Sequence, residues 1–155
     1  MNLTLFQPDM AANTAAAIRL AACLAVSVSI IEPCGFVWDE RRLRRVGMDY
    51  LDQVDLRRWP SWRAFDQARR AEGRRLVLLT TKASTPYHQI DYQPGDILLG
   101  GRESAGVPDE VHAASDLKIK IPMAPGARSL NLVTSLAIVI GEALRQTDGF
   151  PKPAD

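Results

Sequence analysis

Apolar and polar positions along the chain follow two periods in alternation. Short β-like runs recur at 3–6, 28–31, 76–81, 96–100 and 118–123, and helical patterns fall between them at 14–26, 40–45, 62–71, 108–114 and 129–146. Such alternation predicts an α/β fold with a mainly parallel sheet and helices on both faces. The continuous runs LVLL and ILL agree, because strands of a parallel sheet are buried on both sides. Proline and glycine mark the loops at Pro8, Pro33 with Gly35, Pro60, Gly73, Pro86, Pro94 with Gly95, Pro108, and Pro125 with Gly126. No compositional break, repeat or low-complexity tract divides the chain, so 1–155 reads as a single domain whose tail from about 148, FPKPAD included, frays. The pattern over 129–146 is apolar on more than one face, which demands wide burial, either at the centre of a monomer or at an interface between copies.

Composition narrows the class. With 46% hydrophobic and 24% charged residues in 155, the chain matches an ordinary soluble domain able to build a core without cross-links. Cys23 falls in a helical pattern and Cys34 in a turn, with no CxxC and no neighbouring histidine, so neither a metal site nor a redox pair is expected. His88 and His112 fit no triad or metal spacing. The opening MNLTLFQPDM lacks the basic start and long apolar run of a signal peptide, and the apolar stretch near the C-terminus is broken by polar residues. A cytoplasmic protein with no membrane span is the expectation.

The net charge of +1 hides an uneven distribution. Residues 41–75 hold eleven arginines and no lysine against five acids, a local excess of six positive charges. Arginine's planar fork grips phosphate at two points and stacks on bases, which makes RNA a plausible partner; a solvated helical face with nearby acids is the other reading of the same charges. Trp38, Trp59 and Trp62 are open to the same two readings, base stacking or partly buried packing.

A nucleotide site of the dinucleotide type would place GxGxxG directly after the first strand, but QPDMAANTAAAIR contains no glycine. The closely spaced glycines come late, at Gly100, Gly101 and Gly106. They allow close backbone approach, and Gly106 followed by Pro108 closes a turn before a short helix. Beyond them run IKIPM and then RSLNLVTSLAIVIGEALRQ, in which Ser129 can cap a helix, offer free amides to a ligand, or do both. Ser104 lies in the same turn, yet Arg102 excludes a GxSxG nucleophile elbow.

GGRESAG, IPM and RSLN, in that order, resemble the last motifs of the SPOUT superfamily, and in particular its SpoU-type branch of tRNA 2′-O-methyltransferases. The N-terminal third, from LFQPDMAANTAAAIR to RRLRRVGMDYLD, resembles the bacterial branch that modifies the wobble nucleotide of tRNA, so the likeness spans nearly the whole chain. It implies a C-terminal deep trefoil knot, S-adenosylmethionine as cofactor, the tRNA anticodon loop as partner, and a homodimer with its site near the two-fold seam. Carried over to this chain, it implies cofactor contacts at Leu79, Gly101, Ile121 and Ser129, mostly through the backbone. It also implies a catalytic Arg19 at the end of NTAAAIR and RNA contacts at Arg41, Arg44 and Arg45.

Methyl transfer to a ribose hydroxyl requires that hydroxyl to lose its proton in line with the methyl donor. A guanidinium stays charged across the physiological range and is a poor base, so Arg19 is read as positioning substrate and stabilising developing alkoxide charge, with literal proton abstraction left open. A snorkelling or ion-paired arginine is the plainer alternative. The chain departs from the family pattern at Ala15 and Ala16, which replace a glycine and an asparagine, and at Gly100, which replaces an aromatic. Alanine favours the helix, but an amide that can hold substrate is gone, and the glycine removes one wall of the turn. Two other readings share the fold: a noncatalytic RNA-binding module, and a 2′-O-methyltransferase acting at another RNA site. Asn13, Glu103 and Asn131, on motif positions, are read as loop-ordering groups.

Overall fold

A computed structural model describes residues 1–41 and 50–152 of the chain. Among the described residues, seven strands form one sheet: β1 Asn2–Phe6, β2 Ser27–Ile31, β3 Leu56–Trp59, β4 Leu76–Leu79, β5 Thr85–Pro86, β6 Ile97–Gly100 and β7 Leu117–Lys120. Their order is β3-β2-β1-β6-β4-β7-β5, and every pairing is parallel. The helices that lie wholly among the described residues are α1 Ala11–Cys23, α2 Trp62–Ala71, α3 Asp109–Ala114 and α4 Leu132–Gln146.

Alternation along the strands feeds two cores. Leu3, Leu5, Val28, Ile30, Val77, Leu98 and Ile119 face α1 and α4, while Phe6, Ile31, Leu76, Leu78, Ile97 and Leu99 face α2 and α3. This is the period-two geometry of a strand buried on both sides. On the first face, Ala15, Ala17 and Ala21 let α1 approach the sheet closely, and Leu136, Val139, Ile140, Ala143 and Leu144 bring α4 beside it. Polar atoms of the inner strand β1 are paired: Thr4 Oγ1 donates to Asn2 Oδ1 at 2.6 Å, and Asn2 Nδ2 donates to Ser27 Oγ of β2 at 2.9 Å. That pairing removes the desolvation cost of burying them.

Two strands escape the sequence pattern. The β3 segment LRRW sits at a sheet edge, where arginines replace the apolar run of an inner strand, and β5 has only two residues. The last helix starts at Leu132, three residues later than its apolar pattern suggests, because Asn131 is its cap: Asn131 Oδ1 accepts from Val133 N at 2.9 Å and Thr134 N at 3.2 Å. Ser129 is therefore a loop residue and not the helix cap. The helix expected over 40–45 is described at Glu40 and Arg41 and otherwise lies outside the described residues, as do the last three residues of the tail.

Candidate functional site

In a parallel sheet, ligand sites gather outside the carboxyl ends of the strands, where the strand order reverses. The loops leaving β6, β4 and β7, three adjacent strands, enclose a cavity of about 480 Å³ together with Met10 and Asn13 from the β1 side. Its walls include Leu79 and Thr80 after β4, Gly101 to Glu103 after β6, Ile121 and Met123 after β7, and Ser129 to Leu132 at the entrance to α4. The volume falls within the roughly 300–1,000 Å³ of small-molecule sites. All four cofactor positions implied by the resemblance, Leu79, Gly101, Ile121 and Ser129, meet in this one space.

The glycine turn is shaped by steric exclusion. Arg102 and Gly106 exchange backbone hydrogen bonds of 2.9 Å in each direction, closing a tight loop with Gly106 at a φ of +67°. A Cβ on Gly101 would lie 2.7 Å from the Gly106 carbonyl carbon, so only glycine fits there. At Gly100 the room that a side chain would need is taken by α4, with Leu132 Cδ1 at 2.8 Å from an added Cβ. Leu132 also stands in the cavity wall, so the last helix fills the space beside Gly100.

A polar web holds the turn in place. Glu103 accepts from Asp9 N at 2.9 Å and from Asn13 Nδ2 at 3.0 Å, and Asn131 Nδ2 donates to Asn13 Oδ1 at 3.2 Å. Asp9 Oδ2 in turn accepts from Ser104 N at 3.0 Å and Ser104 Oγ at 2.6 Å. The Ser104 bonds, hydroxyl first and amide second, hold the Asp9 carboxyl below the usual aspartate range, with Arg102 adding to the effect. Asn13, Glu103 and Asn131 therefore order the loops, as their motif positions suggested.

One cavity group was not singled out from sequence. Arg102 Nε is buried without a hydrogen-bond partner, and its nearest acid, Asp9 Oδ1, is 4.0 Å away. An unpaired buried guanidinium N–H in a cavity wall calls for an acceptor. Together with the glycine cradle and the apolar walls at Leu79, Ile121 and Met123, it fits a ligand that carries both a carboxylate and an apolar or aromatic body. The only sequence signal was its place between Gly101 and Glu103.

Arg19 stands apart. It is exposed on α1, its guanidinium 5.2 Å from the centre of the Tyr50 ring, and it does not line the cavity. It lies six positions after Asn13, about 9 Å along the helix. Arg41 is exposed, with its backbone N–H donating to Asp39 Oδ1 at 2.9 Å, and Arg44 and Arg45 lie outside the described residues. Among the described residues, no group of three or more His, Cys, Asp or Glu is placed to hold a metal, and no helix is long and apolar enough to cross a membrane.

The profile of the SpoU rRNA Methylase family matches residues 1–141. The chain belongs to this family. Among SpoU relatives, a tRNA (cytidine(34)-2′-O)-methyltransferase of Beijerinckia indica is 53% identical over 153 residues, covering 99% of this chain and 96% of that protein. A solved structure described as giving insight into the 2-OH methylation of C/U34 on tRNA superposes with a TM-score of 0.87 at 36% identity, covering 94% of each chain. The S-adenosylmethionine-bound rRNA methyltransferase of Sinorhizobium meliloti superposes with a TM-score of 0.83 at 26% identity, over 93% of this chain and 55% of that one. The all-parallel sheet, flanked by helices, is thus the SpoU fold.

Proposed function

We propose that this SpoU-family protein transfers a methyl group to the ribose 2′-hydroxyl of the wobble nucleotide, cytidine or modified uridine, in the tRNA anticodon loop. The observation that carries the reading is the convergence of Leu79, Gly101, Ile121 and Ser129 on one cavity at the carboxyl ends of β4, β6 and β7. The 53% identity with the Beijerinckia indica enzyme, over almost the full length of both, supports the choice of substrate. S-adenosylmethionine, when bound, supplies an electrophilic methyl group. The loop backbone at Leu79, Gly101, Ile121 and Ser129 holds it, and Arg102, with its unpaired Nε, meets its carboxylate.

Two copies of the chain complete the site in this reading. Met10 and Leu130, both in the cavity wall, are 50% and 42% exposed, an apolar mouth that a second copy would cover. Arg19 is solvent-exposed and does not line its own cavity, a position suited to serving the cavity of another copy across a two-fold axis. There its guanidinium orients the substrate phosphate and ribose and stabilises the oxygen as its proton leaves. Arg41, Arg44 and Arg45 supply phosphate contacts from the arginine-rich segment. Insertion of β7 between the earlier strands β4 and β5 is consistent with a threaded C-terminal knot. The unpaired Cys23 and Cys34 suit the reducing cytoplasm, where tRNA resides.

Reconstitution with S-adenosylmethionine and unmodified tRNA, followed by mapping of ribose methylation, tests the reading. Wild-type protein is expected to methylate the wobble ribose, and Arg19→Ala to lose turnover on the order of a hundredfold or more while calorimetry shows cofactor affinity unchanged. Full turnover by Arg19→Ala removes that residue from the reaction, and a monomer by light scattering at micromolar concentration removes the shared site.

A further inference from the structure

The edge strand β3 carries two arginine–tryptophan pairs, one on each face. Arg57 lies over the Trp59 ring at 3.6 Å from its centre, and Arg58 lies over Trp38 at 4.6 Å while pairing with Glu32. Both arginines are exposed, and both tryptophans are partly buried against the hydrophobic cores. Strand register gives these pairs their significance. Trp59 is level with Ile31, and Ile31 with Phe6, while Leu5, the residue before Phe6, is level with Gly100. One further step puts Phe6 in the row of Gly101, so Trp59 and the cavity glycine share a row at the same end of the sheet. Three strand spacings separate them, about 14 Å.

The geometry points to this edge as a second RNA-binding surface that holds unpaired nucleotides flanking the one being methylated; the inference rests on the proposed tRNA substrate. A guanidinium stacked on tryptophan is held flat with its outer face open to a base; Arg57 also offers its N–H edge to phosphate, while the N–H edge of Arg58 is held by Glu32. Single-stranded RNA is gripped by such combinations of stacking surface and positive charge. The other role for arginines at a sheet edge is to block pairing with another chain. That role requires charge but no stacked geometry and no placement in the row of the cavity.

The test uses the full chain and a fluorescently labelled anticodon stem-loop RNA, with affinity measured across a salt series and turnover measured in parallel. Arg57→Gln with Arg58→Gln is expected to weaken RNA binding about tenfold or more and to lower the slope of log affinity against log salt by about 0.7, for the phosphate that Arg57 no longer neutralises, since Arg58 is balanced by Glu32. Cofactor affinity and kcat at saturating RNA should stay near wild type. Arg57→Lys with Arg58→Lys should restore the salt slope but only part of the affinity. Arg70→Gln, exposed at the end of α2 that lies away from the cavity, should change neither. RNA affinity and slope equal to wild type in the double glutamine variant, alone or with lowered solubility, overturns the inference. If wild-type protein transfers no methyl group, the substrate reading fails, and the binding comparison still decides this one.

Discussion

Asn13 Nδ2 donates to Glu103 Oε1 at 3.0 Å, joining the first helix to the glycine turn across ninety positions of sequence. The other Glu103 oxygen takes the Asp9 amide at 2.9 Å, and Asn13 passes the connection on to Asn131, the cap of α4. One carboxylate thus fixes the turn relative to the loop after β1 and, through Asn13, to the start of the last helix. Those elements bound the cavity together.

Glu103→Ala should release this link. It leaves the Asp9 amide and the Asn13 side chain short of an acceptor, costing about 1–3 kcal/mol in urea unfolding. Calorimetry should show S-adenosylmethionine affinity reduced about tenfold, because the turn no longer rests in its binding shape. Glu103→Gln, which keeps one acceptor oxygen, should fall between the two. Cofactor affinity that stays at the wild-type value in Glu103→Ala would separate the order of the turn from cofactor binding.

Gly101→Ala should be more damaging to the cavity. The new Cβ cannot stay 2.7 Å from the Gly106 carbonyl carbon, and the atoms it meets are backbone, so the turn itself must open. Cofactor affinity is expected to fall by at least an order of magnitude. Gly95→Ala, where an added Cβ meets nothing within 4 Å, is the matched control and should bind cofactor normally.

The contrast between these glycines shows what could be read from the chain and what could not. The inner strands were legible because their apolar runs are short and bounded by turn residues, and α1, α2 and α4 because their patterns are long. Strand β3 was hidden because its edge position lets arginines occupy both faces, and β5 because two residues carry no period. The cap of α4 went to Ser129 instead of Asn131 because both precede the apolar run and both suit a cap. At the site, the cofactor positions came from motif resemblance, and the structure brings them together. The role of Arg102 depends on an unpaired atom in a folded wall, and the distance of Arg19 from its own cavity depends on helix orientation, so neither is written in a linear pattern.

Asp9 gives a prediction about pH. Its carboxyl titrates below the ordinary aspartate range because it accepts from Ser104, so the folded state favours the charged form. The contribution to stability is therefore complete above the unfolded value of about 3.9 and is lost as pH falls through the lower folded value. The clamp on the glycine turn should be constant between about pH 5 and 8 and should fail only in stronger acid. Ser104→Ala removes the hydroxyl donor and should move the Asp9 carboxyl titration upward in an NMR experiment. An Asp9 titration that does not move in this variant would mean that Ser104 is not its cause.

Arg69 separates the stability of the frame from the chemistry of the cavity. It is 4% exposed and donates to Asp66 Oδ1 at 2.7 Å, Ala114 O at 2.7 Å, Asp116 Oδ2 at 3.0 Å and Arg74 O at 3.2 Å. Asp116 Oδ2 also accepts from Leu76 N at 2.7 Å, so the guanidinium ties α2 to the entrances of β4 and β7. Arg69→Met fills much of the volume but takes a donor from two carbonyls and from two acids, of which Asp66 keeps Arg70 and Asp116 keeps the Leu76 amide, and unfolding free energy should drop by about 1–3 kcal/mol. Lysine should rescue little, since one ammonium on a flexible stem cannot reproduce the fixed fork that meets four acceptors on separate segments. These contacts lie at the amino ends of the strands, opposite the cavity, so Arg69→Met should bind S-adenosylmethionine with wild-type affinity at a temperature where it remains folded. Lost affinity in a folded Arg69→Met protein would show that the frame and the glycine turn are coupled through the sheet.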